Sequence, residues 1–202
     1  MAIITISRQF GAGGLTVGKK LSEKLGYTFV DEEIIQLVAK KAKVSPQWVL
    51  SIEKEAGGRL HKVISSLIPR GIVDRILNDQ RGYIDEEVYV DLLIQIISKI
   101  ADEDSTVILG RGGQYILKGR PNIYHVLLIS DMEHRIHFVE TKYKLSRSQA
   151  NQTVASEDKR RTNFYRKFNK TGYDQPEHYH LTLNMSKLHL DKAIEIIGNL
   201  IV

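Results

Sequence analysis

A short apolar strand running directly into a glycine-rich turn, and from there into a helix, limits most narrowly what this chain can become. Ala2 to Ser7 alternates apolar with small polar residues and is rich in isoleucine and threonine, the pattern of a buried strand. Phe10-Gly11-Ala12-Gly13-Gly14 follows, and then Leu15, Val17, Leu21 and Leu25 mark the apolar face of a helix that Gly26 stops as its C-terminal cap. Tyr27 to Val30 makes a second strand, so the opening reads as a βαβ unit. Glycines in such a turn let successive backbone N–H groups point inward, and the helix N-terminus adds partial positive charge. The element is therefore expected to hold a phosphate. A plain turn before a helix is the alternative, and the loop's position between strand and helix argues against it.

Further along, Val88 to Ile100 repeats apolar residues at helical spacing, and Thr106 to Leu109 is a buried strand ending in Gly110-Arg111-Gly112-Gly113. Tyr124 to Ile129 is another apolar strand. Met132 to about Leu145 and Arg147 to about Phe168 read as helices, the second with bends. Tyr179 to Leu183 reads as the last strand and Leu190 to Leu200 as the last amphipathic helix. Strands apolar along their whole length and separated by helices imply a parallel sheet covered on both faces, an α/β three-layer fold. The stretch from about Glu32 to Ile84 is mostly helical and broken by Gly57-Gly58, Pro69 and Gly71.

The 202 residues suit one compact domain with small insertions. With no cysteine in the sequence, disulfides and cysteine-held zinc are excluded, in keeping with a cytoplasmic location. No apolar run approaches the ~20 residues of a bilayer span, and Met1 to Ile6 is expected to be a strand rather than a signal segment. The net charge of +5 suits an anionic partner, and its distribution is informative. Six basic residues fall between Lys159 and Lys170, with no acid among them. Phosphoryl transfer spreads negative charge over several oxygens, so a mobile arginine-rich cover supplies charge and excludes water. The same residues interleave with Phe164, Tyr165, Phe168 and Tyr173, which makes a nucleic-acid surface the competing, less favoured reading. Arg111, at a strand end between glycines, is suited to grip an acceptor phosphate with parallel hydrogen bonds. Asp31 ends the second strand, where open α/β sheets bind ligands, and equally suits the N-cap of a following helix.

Ile4-Thr5-Ile6-Ser7-Arg8-Gln9-Phe10-Gly11-Ala12-Gly13-Gly14 resembles the ITISR-x-x-G-x-GG opening of the cytidylate kinase-like proteins, a divergent branch of the bacterial cytidylate kinases. The resemblance runs from the first strand to the last helix. It implies a P-loop NTPase fold with a parallel sheet, a helical acceptor-binding insertion and a lid. By it Gly11, Ala12, Gly13, Gly14, Leu15 and Thr16 hold the phosphates of ATP, and Thr16 also faces Mg2+. The phosphate-binding lysine of cytidylate kinase falls on Gly14 here, which leaves Arg8 to supply that charge from the loop entrance. Gly110-Arg111 matches part of a D-G-R-D element whose acids have become Leu109 and Gly112, and Asp31 keeps the first position of an Asp-Thr-Gly. Asp158 and Arg161 match the lid's D-x-x-R, with Tyr165 one turn further on. Arg161 is then the transition-state arginine, with Arg160 and Arg166 as weaker lid candidates.

The expected layout is a core of residues 1–31, 86–150 and 179–202, an acceptor insertion at 32–85 and a basic lid at 151–178. The expected activity is phosphoryl transfer from ATP to a nucleoside monophosphate, CMP or dCMP first. Nucleotides are the expected partners, with no membrane and no nucleic acid. Two other readings fit the same residues: a kinase of another small metabolite, and a nucleotide-binding protein without transfer activity.

Overall fold

The computed structural model describes residues 2–31, 86–103, 105–168 and 172–201. Five parallel strands, β1 (Ile3–Arg8), β2 (Thr28–Val30), β3 (Thr106–Leu109), β4 (Ile123–Ile129) and β5 (Leu181–Asn184), form one sheet in the order β2-β3-β1-β4-β5. The register pairs Ile6 with Leu109 on one side and with Val126 on the other, so all the strands end along one edge. β1 is central because its side chains suit burial on both faces: Ile4 and Ile6 are fully buried, and Thr5 and Ser7 nearly so.

Helices cover both faces. α1 (Gly14–Leu25) and α6 (Leu190–Gly198) pack Val17, Leu21, Ile194 and Ile197 against Ile4, Ile6, Val107 and Val126. α1 stops at Gly26, whose left-handed φ of 67° closes the helix as its sequence implies. On the other face α3 (Gly113–Ile116) begins so close to the sheet that a Cβ at Gly113 would stand 3.2 Å from Thr5 Cγ2. α2 (Glu86–Asp102) lies against α3 and buries Leu93, Ile96, Ile97 and Ile100 at the spacing read from the sequence. α4 (Met132–Tyr143) and α5 (Arg147–Lys167) pack together through Ile136, Val139, Ala150 and Val154. The acceptor insertion expected at 32–85 lies outside the described residues.

Two expectations change. α5 is one unbroken helix, because residues 147–167 contain no proline or glycine and Ser146 and Gln149 form a reciprocal capping box at its start. β5 begins at Leu181 rather than Tyr179: a 3₁₀ turn at Pro176–His178 uses the Tyr179 amide, which donates to the Pro176 carbonyl at 2.9 Å. Among the described residues no helix is long and apolar enough to cross a membrane.

Candidate active site

The C-terminal ends of the strands open on a cleft of about 450 Å³. Its floor is the turn between β1 and α1. Gly13 caps α1 in the left-handed region with φ of 78°, no side chain caps the helix, and its first turn holds no acid. The helix thus presents its first amides and its positive end to the cleft, where Gly11, Gly13, Gly14, Leu15 and Thr16 all line the wall. Ala12 differs: it is buried in the core beneath the loop, its amide donates to the Gln9 carbonyl at 3.1 Å, and it does not line the cleft.

Arg8 explains the glycine at position 14. A Cβ on Gly14 would lie 2.7 Å from Arg8 Cγ, and one on Gly110 would lie 2.1 Å from Arg8 Nη1. The arginine stem therefore runs from the end of β1 across Gly14 toward the turn after β3. Any side chain at position 14 would start in the volume that Arg8 fills, so the two residues are one arrangement.

The turn after β3 is unusual. Gly110, Arg111 and Gly112 have φ of 80°, 52° and 74°, three consecutive left-handed residues. For Arg111 this conformation costs about 1 kcal/mol, which glycine would not incur. The turn carries the guanidinium into the cleft wall, 5.3 Å from the Phe164 ring of α5. Asp31, just past β2, lines the same cleft. Arg8, Arg111, Arg160 and Arg161 are thus brought to one space by three different segments, the end of β1, the turn after β3 and α5.

Arg161 is firmly held. Its Nη1 donates to Asp174 Oδ2 at 2.6 Å, and its Nη2 to Asp174 Oδ1 at 2.5 Å and Ser7 Oγ at 3.0 Å. Its Cζ lies 5.2 Å from the Tyr165 ring and 4.9 Å from that of Tyr173, and these two rings stack at 4.5 Å. Burial opposes the charge, but the Asp174 hydrogen bonds outweigh it and hold the guanidinium protonated, above its ordinary range. Tyr165 is buried; its hydroxyl bonds Ser7 Oγ at 3.2 Å and accepts from Gln114 Nε2 at 3.1 Å. Gln114 also donates to Tyr179 Oη, which donates in turn to the Tyr173 carbonyl. Burial pushes Tyr115 up to about 12 and raises Tyr179 as well, so these hydroxyls stay protonated and neutral.

The remaining lid candidates separate. Arg160 lines the cleft and pairs with Glu157 of its own helix at 3.5 Å. Asp158 is not in the cleft lining: it takes both Nη atoms of Arg135 at 2.8 and 2.9 Å and fastens α5 to α4. Arg166 is exposed and outside the cleft lining. Sequence reasoning missed Asp174, Gln114 and Tyr179, whose side-chain partners Arg161, Tyr165 and Gln114 lie 13 to 65 residues away, so no local spacing exposes them. Arg135, on the helix after a strand, reads from sequence equally as a nucleotide contact or a surface residue; it is buried against Asp158, so the surface reading is corrected. For a divalent cation the cleft offers Thr16, Asp31 and Glu157, hard oxygen donors. Among the described residues no three His, Asp or Glu side chains cluster as a metal site. The donor set fits Mg2+ carried on phosphates.

Residues 3–187 match the cytidylate kinase-like family. No curated protein matches the sequence. Among solved structures, an uncharacterized protein from Eubacterium ventriosum superposes with a TM-score of 0.70 at 19% identity, covering 100% of this chain and 98% of the other. Shikimate kinase from Acinetobacter baumannii, in complex with shikimate, gives a TM-score of 0.51 at 17% identity over 100% and 93% of the two chains. Shikimate kinase from Bacteroides thetaiotaomicron gives 0.51 at 13% identity over 98% and 97%. At these identities the likeness shows the fold, a P-loop kinase sheet with its helices.

Proposed function

The chain belongs to the cytidylate kinase-like family, and on that premise we propose that it transfers the γ-phosphoryl group of Mg-ATP to a nucleoside monophosphate, CMP or dCMP first. The observation that carries this reading is the meeting of four arginines with the uncapped N-terminus of α1 in one cleft. A phosphoryl donor and a phosphorylated acceptor bring several negative charges together, and catalysis here is mostly positioning and charge.

In this reading the backbone of Gly11 to Thr16 cradles the donor phosphates and Thr16 offers its hydroxyl to Mg2+, which neutralises charge on the phosphates when bound. Arg8 supplies the point charge that a loop lysine supplies elsewhere. Arg111 holds the acceptor phosphate beside Asp31. An oxygen of that phosphate attacks the γ-phosphorus, the bond to the bridging oxygen breaks, and ADP leaves with the electron pair. Arg161, oriented by Asp174, stabilises the transferring group, and Arg160 assists. The cytoplasm is the fitting location for such a reaction.

The test is ADP release from Mg-ATP with a panel of nucleoside monophosphates, CMP first, beside Arg161→Ala. Turnover with one acceptor, reduced at least a hundredfold in the variant, is expected. ATP binding with no turnover on any nucleotide would refute the nucleotide acceptor. Absence of ATP binding would refute the donor site.

A further inference from the structure

One end of the cleft is aromatic rather than cationic. Phe10, in the loop itself, faces Tyr143 at the end of α4 with ring centroids 6.4 Å apart and planes only 12° from parallel. Phe138, five residues earlier on α4, also lines the cleft and carries Lys142 Nζ 5.3 Å from its ring centre. Among the described residues four large hydrophobic side chains are exposed, and two of them, Leu15 and Tyr143, line this cleft. Phe10 and Phe138 rest on the apolar contact between α4 and α5, which fixes the wall without needing a ligand.

We propose that Phe10, Phe138 and Tyr143 form the stacking wall for the base of the donor nucleotide, an inference that rests on the loop being the donor-phosphate site. A ligand fitting both ends of this cleft must be anionic at one end and planar at the other. The sheet order decides which nucleotide it is. Asp31 and Arg111 follow β2 and β3, on one side of β1, while α4 follows β4 on the other side. Phe10 is tied to that second side, since its carbonyl accepts from Arg135 Nη1 at 3.3 Å. A nucleotide with its phosphates on the loop and its base against α4 leaves the Asp31–Arg111 end clear for the acceptor. Tyr143 stacks on the incoming ring, and the Lys142 ammonium lies close to the same aromatic surface. Stacking tolerates any base, so the wall favours nucleotides over bare polyphosphates without selecting adenine strongly.

The experiment is calorimetric titration of the full chain and of its Tyr143→Ala and Tyr143→Phe variants with ATP, inorganic tripolyphosphate and CMP. Tyr143 is half exposed, so its removal leaves the core intact. Tyr143→Ala should weaken ATP about tenfold, leave tripolyphosphate unchanged, and be rescued by Tyr143→Phe. Wild-type protein binding ATP no more tightly than tripolyphosphate would overturn the wall and leave the phosphate loop standing. A loss falling on CMP instead of ATP would overturn the donor assignment. Wild-type protein binding neither ATP nor tripolyphosphate would remove the donor site, and the wall with it.

Discussion

A lysine placed at position 14 would set its Cβ 2.7 Å from Arg8 Cγ, so the loop lysine of cytidylate kinase and this chain's arginine exclude each other sterically. Arg8→Ala should therefore weaken ATP several-fold, and Gly14→Lys alone should also weaken it, by displacing Arg8. The double variant should bind more tightly than either single one, a non-additivity that titration with ATP measures directly. Simple addition of the two losses would show that Arg8 does not stand in for the lysine. A second expectation at this scale concerns His125, which is buried and hydrogen-bonded to Thr5 Oγ1 at 2.7 Å. Burial, aided by neighbouring His180, lowers its pKa from 6.5 to about 4. The folded state therefore resists protonation, and its stability is full above pH 6.5 and declines as pH falls toward 4. The loss amounts to about 3 kcal/mol. Urea midpoints measured across that range check it, and His125→Gln should flatten the profile. The sequence shows Arg8 and Gly14 separately, since each is an ordinary departure from a familiar loop. Their mutual exclusion depends on a side-chain path, which only coordinates reveal. His125 gives no signal in sequence beyond its place in an apolar strand.

At the scale of elements, α5 was legible as a basic helix carrying Arg161, because residue type and spacing are local properties. How it is moored was not. Arg135 and Asp158 join α4 to α5, the Ser7–Tyr165 bond joins α5 to β1, and Asp174 reaches Arg161 from the segment after α5. Every one of these links spans more than ten residues of sequence. Removing Asp174 tests the last of them. Asp174→Ala leaves a largely buried guanidinium without its carboxylate and should cost about 3 kcal/mol of stability, read from urea denaturation. It should lower kcat more than KM for ATP, because Arg161 is mispositioned while the loop is untouched. A fall in stability with kcat unchanged would reduce Asp174 to a structural role.

For the whole molecule, the parallel sheet with helices on both faces was readable from five apolar strands separated by helical segments. The strand order was not, since periodicity says nothing about which strand lies beside which. That order puts the first strand in the middle. Ile3 pairs with Thr106 on one flank and Ile123 on the other, so β1 has no partner close to it in sequence. Emerging from a ribosome, the segment that will floor the site must stay unpaired until at least 100 further residues have been made, a span roughly half the chain. Over that interval its two bare edges invite pairing with other strands. The placement that lets one strand feed every part of the cleft also makes its folding late, long-range and exposed to error.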